Sequence, residues 1–170
     1  MSGCELPVVI NSGSGNQGIT VCMPVVEYAY GLGKWEEELI RSLLLSNLIA
    51  IRIKSSYGRL SAFCGAVSAA TGSGAAITWM SGGSYEQICG TIVNALGTIS
   101  GMVCDGAKPS CASKIASAVD AALMAHSLSM EEKHFNSGDG LVKEDIEATI
   151  ESIGRMASEG MIETDKKILQ

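Results

Sequence analysis

The sequence predicts an all-α protein, a compact helical bundle that follows an irregular glycine-rich N-terminal loop. Apolar residues recur three or four positions apart in several segments, the spacing that places them on one face of a helix. No alternating pattern typical of a β-strand has useful length after Met23. The 170 residues are 46% hydrophobic, which is enough for one core, so a single domain is predicted over residues 1–170.

The chain opens with a turn-forming segment and continues into a strongly patterned helix. Between Pro7 and Thr20 the run from Asn11 to Gly18 is rich in Gly, Ser and Asn, which predicts that the first twenty residues are irregular. A helix is predicted from Trp35 to Ile53. Its apolar residues are three or four apart, and three glutamates fall in its first turn, where the helix dipole favours anions.

The middle of the chain is poor in charge and rich in small residues. A second helix is predicted from Arg59 to Thr71, followed by a break at Gly72-Ser73-Gly74 and a short helical piece from Ala75 to Met80. The segment from Ala62 to Met80 has no charged residue, but its Gly, Ser and Thr content argues against a membrane span. Small side chains let helices approach closely, and they also leave room for a bound group.

Start signals mark the later helices. Ser84-Tyr85-Glu86-Gln87 has the form of a capping box and opens a segment that continues to about Ser100. Pro109 is expected to start the next helix, which runs to about Ser129. A last amphipathic helix is predicted from Lys143 to Ser158.

Composition excludes several classes of protein. The net charge is −6 and no basic run is present, so nucleic acid is not expected as a partner. Six cysteines are too few for a disulfide scaffold in a chain of this length, and Met1 to Ile10 lacks the pattern of a signal peptide. Reduced thiols in the cytoplasm are therefore expected. The sequence leaves open whether the chain forms a homo-oligomer.

Three cysteines, Cys64, Cys104 and Cys111, are the candidate metal ligands. Cys111 is placed in the first turn of a predicted helix, where the helix dipole and Lys108 stabilise a thiolate, and Cys104 is placed at the end of the preceding helix. Thiolates suit iron–sulfur clusters and zinc, and three protein ligands leave one coordination position open. The spacing matches no short ferredoxin or zinc-ribbon pattern, so buried, inert thiols are the alternative.

The glycine-rich loop is the candidate binding site for an anionic group. Its backbone N–H groups, hydroxyls and amide side chains can surround a carboxylate or phosphate at a helix N-terminus. A plain turn is the alternative, and no Walker lysine or dinucleotide-binding pattern accompanies the loop. The candidate substrate-binding residues are Ser12, Gly13, Ser14, Gly15, Asn16 and Gln17.

The remaining cysteines and the two histidines are assigned ordinary roles. Cys4, Cys22 and Cys89 are expected to pack or to lie in loose chain rather than to bind metal. His126 and His134 are expected to be hydrogen-bonded or solvated rather than catalytic. No residue of the chain is assigned as a general base.

Three segments together resemble a known family: Ser12 to Gly18, Phe63-Cys64-Gly65-Ala66, and Gly101 to Ala112. They are similar to the α-domain of the iron–sulfur L-serine dehydratase superfamily, and most similar to its branch of L-cysteine desulfidases and serine-dehydratase-like proteins. The resemblance covers nearly the whole chain.

The resemblance implies a cofactor and a reaction. It assigns an oxygen-sensitive 4Fe-4S cluster to Cys64, Cys104 and Cys111, with the iron that lacks a protein ligand acting as a Lewis acid on the substrate. The glycine-rich loop would bind the carboxylate of a small amino acid. The implied reaction is a β-elimination from L-cysteine or L-serine that yields pyruvate and ammonia.

Two departures from the family pattern bear on this expectation. The separation between Cys104 and Cys111 is shorter than in the serine dehydratases proper, which favours the desulfidase-like branch and leaves the substrate open. Family members are also longer, with another domain before this one, so the chain resembles a C-terminal fragment or a separately encoded half. If the missing domain or partner subunit supplies the general base, the chain alone is expected to bind a cluster without turnover. The competing hypothesis is a non-catalytic helical module with packing or redox-sensing thiols.

Overall fold

A computed structural model describes residues 5–58 and 61–170 and confirms the all-α fold. The described residues form seven α-helices and one π-helical segment, with no β-strand beyond two isolated bridges. The helices are α1 (Gly15–Leu32), α2 (Glu36–Ser55), α3 (Gly65–Met80), α4 (Tyr85–Ile99), α5 (Cys111–Met130), α6 (Ile146–Arg155) and α7 (Ile162–Ile168), with the π-helical segment at Met156–Gly160.

Helix α3 is the centre of the bundle. Helices α1, α2, α4 and α5 all pack against it, and α6 packs on α4 and α2. The main core contains Ile53, Phe63 and Leu96, whose side chains are fully buried. The predicted cysteine ligands lie beside this core, near the start of α3.

The prediction that the first twenty residues are irregular is wrong from Gly15 onward. Helix α1 begins there because Ser14 acts as its N-cap and accepts a hydrogen bond from the backbone N–H of Gln17 at 3.4 Å. Gly18 is glycine for a packing reason, since an added Cβ would lie 1.7 Å from the carbonyl oxygen of Val9. The glycine-rich run therefore ends in a helix rather than continuing as a loop.

The predicted break at Gly72-Ser73-Gly74 is also wrong, because α3 is continuous. An added Cβ at Gly72 would lie 2.4 Å from the carbonyl oxygen of Ser46, and one at Gly74 would lie 3.0 Å from Ala122. These glycines let α2 and α5 approach the backbone of α3. Of the helix predicted from Arg59, residues 59 and 60 lie outside the described residues, and residues 61–64 are not helical.

The later helices differ from their predictions mainly at their ends. The capping box is confirmed, since Ser84 and Gln87 bond each other's backbone N–H groups. Helix α5 begins at Cys111 rather than at Pro109, which lies in the preceding turn. The last predicted helix, Lys143 to Ser158, is shorter and starts after the N-cap Asp145. In the described part of the chain, no helix combines the length and apolarity needed to cross a membrane.

Candidate functional site

The three predicted cysteine ligands and all six predicted loop residues line one cavity of about 650 Å³. The cavity lies between the start of α1, the end of α2, the start of α3, and the turn that leads into α5. Cys64 and Cys111 are buried and Cys104 is half-buried, and all three are free thiols. The structure therefore brings the loop together with thiols that are between 47 and 99 positions away in the sequence.

A short pairing of backbone segments places Cys64 beside Cys104. The N–H of Cys64 donates to the carbonyl oxygen of Met102 at 2.9 Å, and the N–H of Cys104 donates to Ala62 at 2.6 Å. These bonds form around an antiparallel bridge between Phe63 and Val103. Cys64 is the N-cap residue of α3, whereas Cys104 lies in a loop. The prediction that Cys104 ends a helix is wrong, because α4 already stops at Ile99.

Cys111 is the first residue of α5, as the first-turn prediction requires. The turn before the helix wraps around its sulfur atom: the N–H of Lys108 donates to Sγ at 3.5 Å, and Sγ donates to the carbonyl oxygen of Gly106 at 3.6 Å. The N-cap Ser110 makes no side-chain hydrogen bond to the helix. The turn therefore holds the sulfur between a backbone N–H group and a carbonyl oxygen.

An ion pair fixes the loop that carries Cys104. The Lys114 ammonium group donates to Asp105 Oδ1 at 2.7 Å and to the carbonyl oxygen of Val103 at 2.9 Å. This interaction holds the pKa of the Asp105 carboxyl group below its usual range. Lys108 also donates to the backbone oxygen of Asp105 at 2.7 Å. In this structure Asp105 and its two lysines hold the turn in shape.

The chain on the other side of Cys64 is held by the C-terminal helices. The N–H of Ala62 donates to the Asp165 carboxylate on α7. Ser61 Oγ donates to the carbonyl oxygen of Ala157 in the π-helical segment at 3.2 Å. A π-helical turn leaves carbonyl groups outside the regular helical bonding pattern. The C-terminal segment thus positions the residues that lead into Cys64.

The glycine-rich loop is folded tightly over the start of α1. Ser12 and Gly13 both have positive φ angles, 51° and 90°. Ser12 Oγ donates to Asn11 Oδ1 at 2.8 Å, and Asn11 Nδ2 donates to Asn47 Oδ1 on α2 at 2.8 Å. A strained non-glycine residue held by such bonds is typical of binding loops. Sequence reasoning missed Asn47, which lies far from the loop in the chain.

Gln17 connects this loop to the first cysteine. Its side chain packs on the backbone of Gly65, where an added Cβ would lie 2.4 Å from Gln17 Cδ. A side chain at position 65 would therefore displace the Gln17 amide group from its place beside Cys64.

Lys54 is the main cavity residue that sequence reasoning missed. It lies in the last turn of α2, and only 4% of its surface is exposed. Burial lowers its pKa, while Cys104 and Cys64 act in the opposite direction. The helix spacing indicates that Lys54 is buried, because Ser46, Ala50 and Lys54 are four residues apart and so share one face of α2.

The remaining predicted residues lie away from the cavity. Cys22 and Cys89 are half-buried free thiols, and Cys4 lies outside the described residues. His126 is buried and its Nδ1 is 2.9 Å from Thr78 Oγ1, while His134 is exposed. Both histidines agree with the prediction that they are hydrogen-bonded or solvated.

Three thiols are the donor type that suits soft metals and iron–sulfur clusters. Within residues 5–58 and 61–170, no three His, Cys, Asp or Glu side chains are gathered closely enough to hold one ion. In an iron–sulfur cluster each thiolate binds a different iron, so its ligands surround a larger volume. Burial raises the pKa of the Cys64 thiol. Metal binding requires the thiolate form, so it would be coupled to proton release.

Comparison with known proteins agrees with the resemblance drawn from the motifs. The family model described as serine dehydratase alpha chain matches residues 1–170. The chain belongs to this family. No solved structure matches this chain significantly.

Curated relatives of this chain include proteins named UPF0597 protein. The one from Treponema denticola is 60% identical over 170 residues, which are 100% of this chain and 39% of the relative. The one from Lachnoclostridium phytofermentans is 59% identical over 100% of this chain and 41% of the relative. The chain therefore spans about two fifths of the length of the relatives it matches.

Proposed function

We propose that this chain is the cluster-binding part of an iron–sulfur lyase that acts on a small amino acid, L-cysteine or L-serine. One observation carries the proposal: three thiols from separate parts of the chain line the same cavity as a glycine-rich helix start. Membership of the serine dehydratase alpha chain family supports the same reaction class. The free thiols suit a reducing cytoplasm, where we place the reaction.

Cys64, Cys104 and Cys111 would hold a 4Fe-4S cluster. When bound, a cluster with one iron free of protein ligands supplies a Lewis acid for the departing β-substituent of the substrate. The chain's own part is to keep three soft donors around one space. It does so through the Phe63–Val103 bridge and the Asp105–Lys114 ion pair.

The start of α1 would bind the substrate carboxylate. The first N–H groups of a helix have no partner within the helix, and the helix dipole favours an anion there. The positive φ angles of Ser12 and Gly13 shape the loop around this helix start. Held there, a small amino acid would have its β-carbon in the same cavity as the three cysteines.

The reaction also needs a base to remove the α-proton. The described residues that line the cavity include no imidazole and no carboxylate. We propose that the base lies in a further domain or partner subunit, corresponding to the three fifths of the relatives that this chain does not match. The β-substituent leaves with its electron pair as hydroxide or hydrosulfide. The resulting aminoacrylate rearranges to an imine, which water hydrolyses to pyruvate and ammonia.

Anaerobic reconstitution with iron and sulfide tests the cluster. The chain is expected to take up about four iron atoms and to gain a broad absorption in the blue part of the visible spectrum. Cys104→Ser should abolish the stable uptake, while Cys89→Ser, which changes a free thiol outside the cavity, should not. Equal iron content in both variants and the parent chain would refute the proposed ligands.

A second candidate is a non-catalytic helical module whose thiols pack or sense redox state. The raised pKa of the Cys64 thiol favours it, because a metal ligand must be a thiolate. It predicts an unchanged helical circular dichroism spectrum with no iron uptake. It also predicts that mild oxidation forms a disulfide between Cys64 and Cys104, which peptide mapping would detect.

A further inference from the structure

We infer that Lys54 binds the carboxylate of the substrate, together with the backbone N–H groups at the start of α1. This inference rests on the proposed function, and it adds a residue that the motifs do not contain. Three features of Lys54 support this role: it is buried, it has no counter-charge among the described residues, and it shares a cavity with the glycine-rich loop.

Lys54 is a buried cation without an anionic partner. Its surface is 4% exposed, and no residue in 5–58 or 61–170 forms an ion pair or a side-chain hydrogen bond with its ammonium group, which faces the cavity. A buried charge is costly unless it is paired and hydrogen-bonded. The other lysine of the cavity, Lys114, is already paired with Asp105 at 2.7 Å. Lys54 is therefore the cation with capacity for an anionic ligand.

An aromatic ring fixes the position of this ammonium group. Lys54 Nζ lies 4.3 Å from the centre of the Tyr57 ring. The Tyr57 hydroxyl group is engaged with Ser68 Oγ at 3.1 Å, and burial raises the pKa of Tyr57, so the phenol is neutral. The ring orients the lysine without neutralising it. An anion that enters the cavity meets a charge that is already in place.

The cavity supplies a second anion-binding feature next to the lysine. Ser14 and Gly15, at the start of α1, line the same cavity as Lys54. Among the described lining residues there is no acidic side chain that would compete for the ammonium group. A carboxylate shared by the lysine and the helix start would receive charge-assisted hydrogen bonds from both. The remainder of a small amino acid would occupy the space lined by the cysteines.

The test compares L-serine with 2-aminoethanol, which is the same molecule without its carboxylate. Isothermal titration calorimetry is done on the complete chain, both reconstituted and metal-free. The parent chain should bind L-serine and bind 2-aminoethanol far more weakly. Lys54→Met should weaken L-serine binding about 10- to 100-fold, the effect of one charge-assisted hydrogen bond, with unchanged iron content. Lys54→Arg, which keeps the charge, should retain part of the binding.

Lys34→Met is the matched control. It removes the same charge at the opposite end of α2, where Lys34 is paired with Glu38 at 2.8 Å, and should leave L-serine binding unchanged. Unchanged L-serine binding in Lys54→Met would overturn the inference. Loss of iron from that variant with L-serine binding retained would instead assign Lys54 to the cluster, and would also overturn it.

The same experiment separates the two proposals. If the parent chain takes up no iron, the proposed function fails, and L-serine binding to the metal-free chain still decides the role of Lys54. If the parent chain takes up iron but binds no L-serine, the Lys54 inference fails while the cluster assignment stands.

Discussion

Gly72→Ala tests whether α3 must present a bare backbone to α2. An added Cβ would lie 2.4 Å from the Ser46 carbonyl oxygen and 3.2 Å from the backbone nitrogen of Ala50. Because the closest atoms belong to the backbone, no side-chain rotation relieves the overlap. Overpacking a core costs about 1–3 kcal/mol or more, whereas replacing glycine in a helix gains about 1 kcal/mol. We expect a net loss of about 2 kcal/mol in the free energy of unfolding.

The measurement is urea unfolding followed by circular dichroism. Gly31→Ala is the matched control, because Gly31 lies in α1 and an added Cβ there has no neighbour within 4 Å. That control should stabilise the chain by about 0.5–1 kcal/mol. Gly72→Ala should also weaken L-serine binding, since α2 carries Lys54 and must move to relieve the contact. A Gly72→Ala chain as stable as its parent would refute the packing argument.

Two further predictions concern pH and the cysteine loop. Burial lowers the pKa of His126, so the unfolded chain binds this proton more readily than the folded chain. The stability due to the neutral His126 is complete above pH ~6.5 and is lost as pH falls toward the lowered folded pKa. Melting temperatures between pH 8 and pH 5 should show this loss, and His126→Asn should reduce it; an equal loss in both chains would contradict the assignment. Asp105→Asn removes the partner of Lys114 and should speed loss of iron to a chelator from the reconstituted chain. Asp120→Asn, on the exposed face of α5, should not, and equal rates in the two variants would show that the ion pair does not hold the loop.

Much of the helical architecture was predictable from local patterns. The segment from Trp35 to Ile53 and the capping box at Ser84 carry their signals within a few residues, and both are helical as predicted. The helix boundaries near glycines could not be predicted from local sequence. The sequence predicts a helix break at Gly72 because glycine weakens an isolated helix, whereas in the structure Gly72 accommodates Ser46 from a different helix.

Some residues of the candidate site could likewise be predicted from the sequence, and others could not. The thiols and the glycine-rich loop were recognisable as residue types with suitable chemistry, and the structure places them around one cavity. Lys54 was recognisable only as a position on the buried face of α2. Its importance depends on what lies opposite, and residues distant in sequence, including Ser14 and Cys104, provide that.

The amino-acid sequence by itself determined where helices form and which side chains can bind soft metals, because periodicity, caps and donor atoms are local properties. Only the tertiary structure decided that three thiols, a helix start and an unpaired lysine face the same space. That convergence depends on how closely α2 and α5 approach α3, and the approach is set by Gly72 and Gly74 at the contacts. Contact between distant segments is a property of packing, which no local pattern encodes.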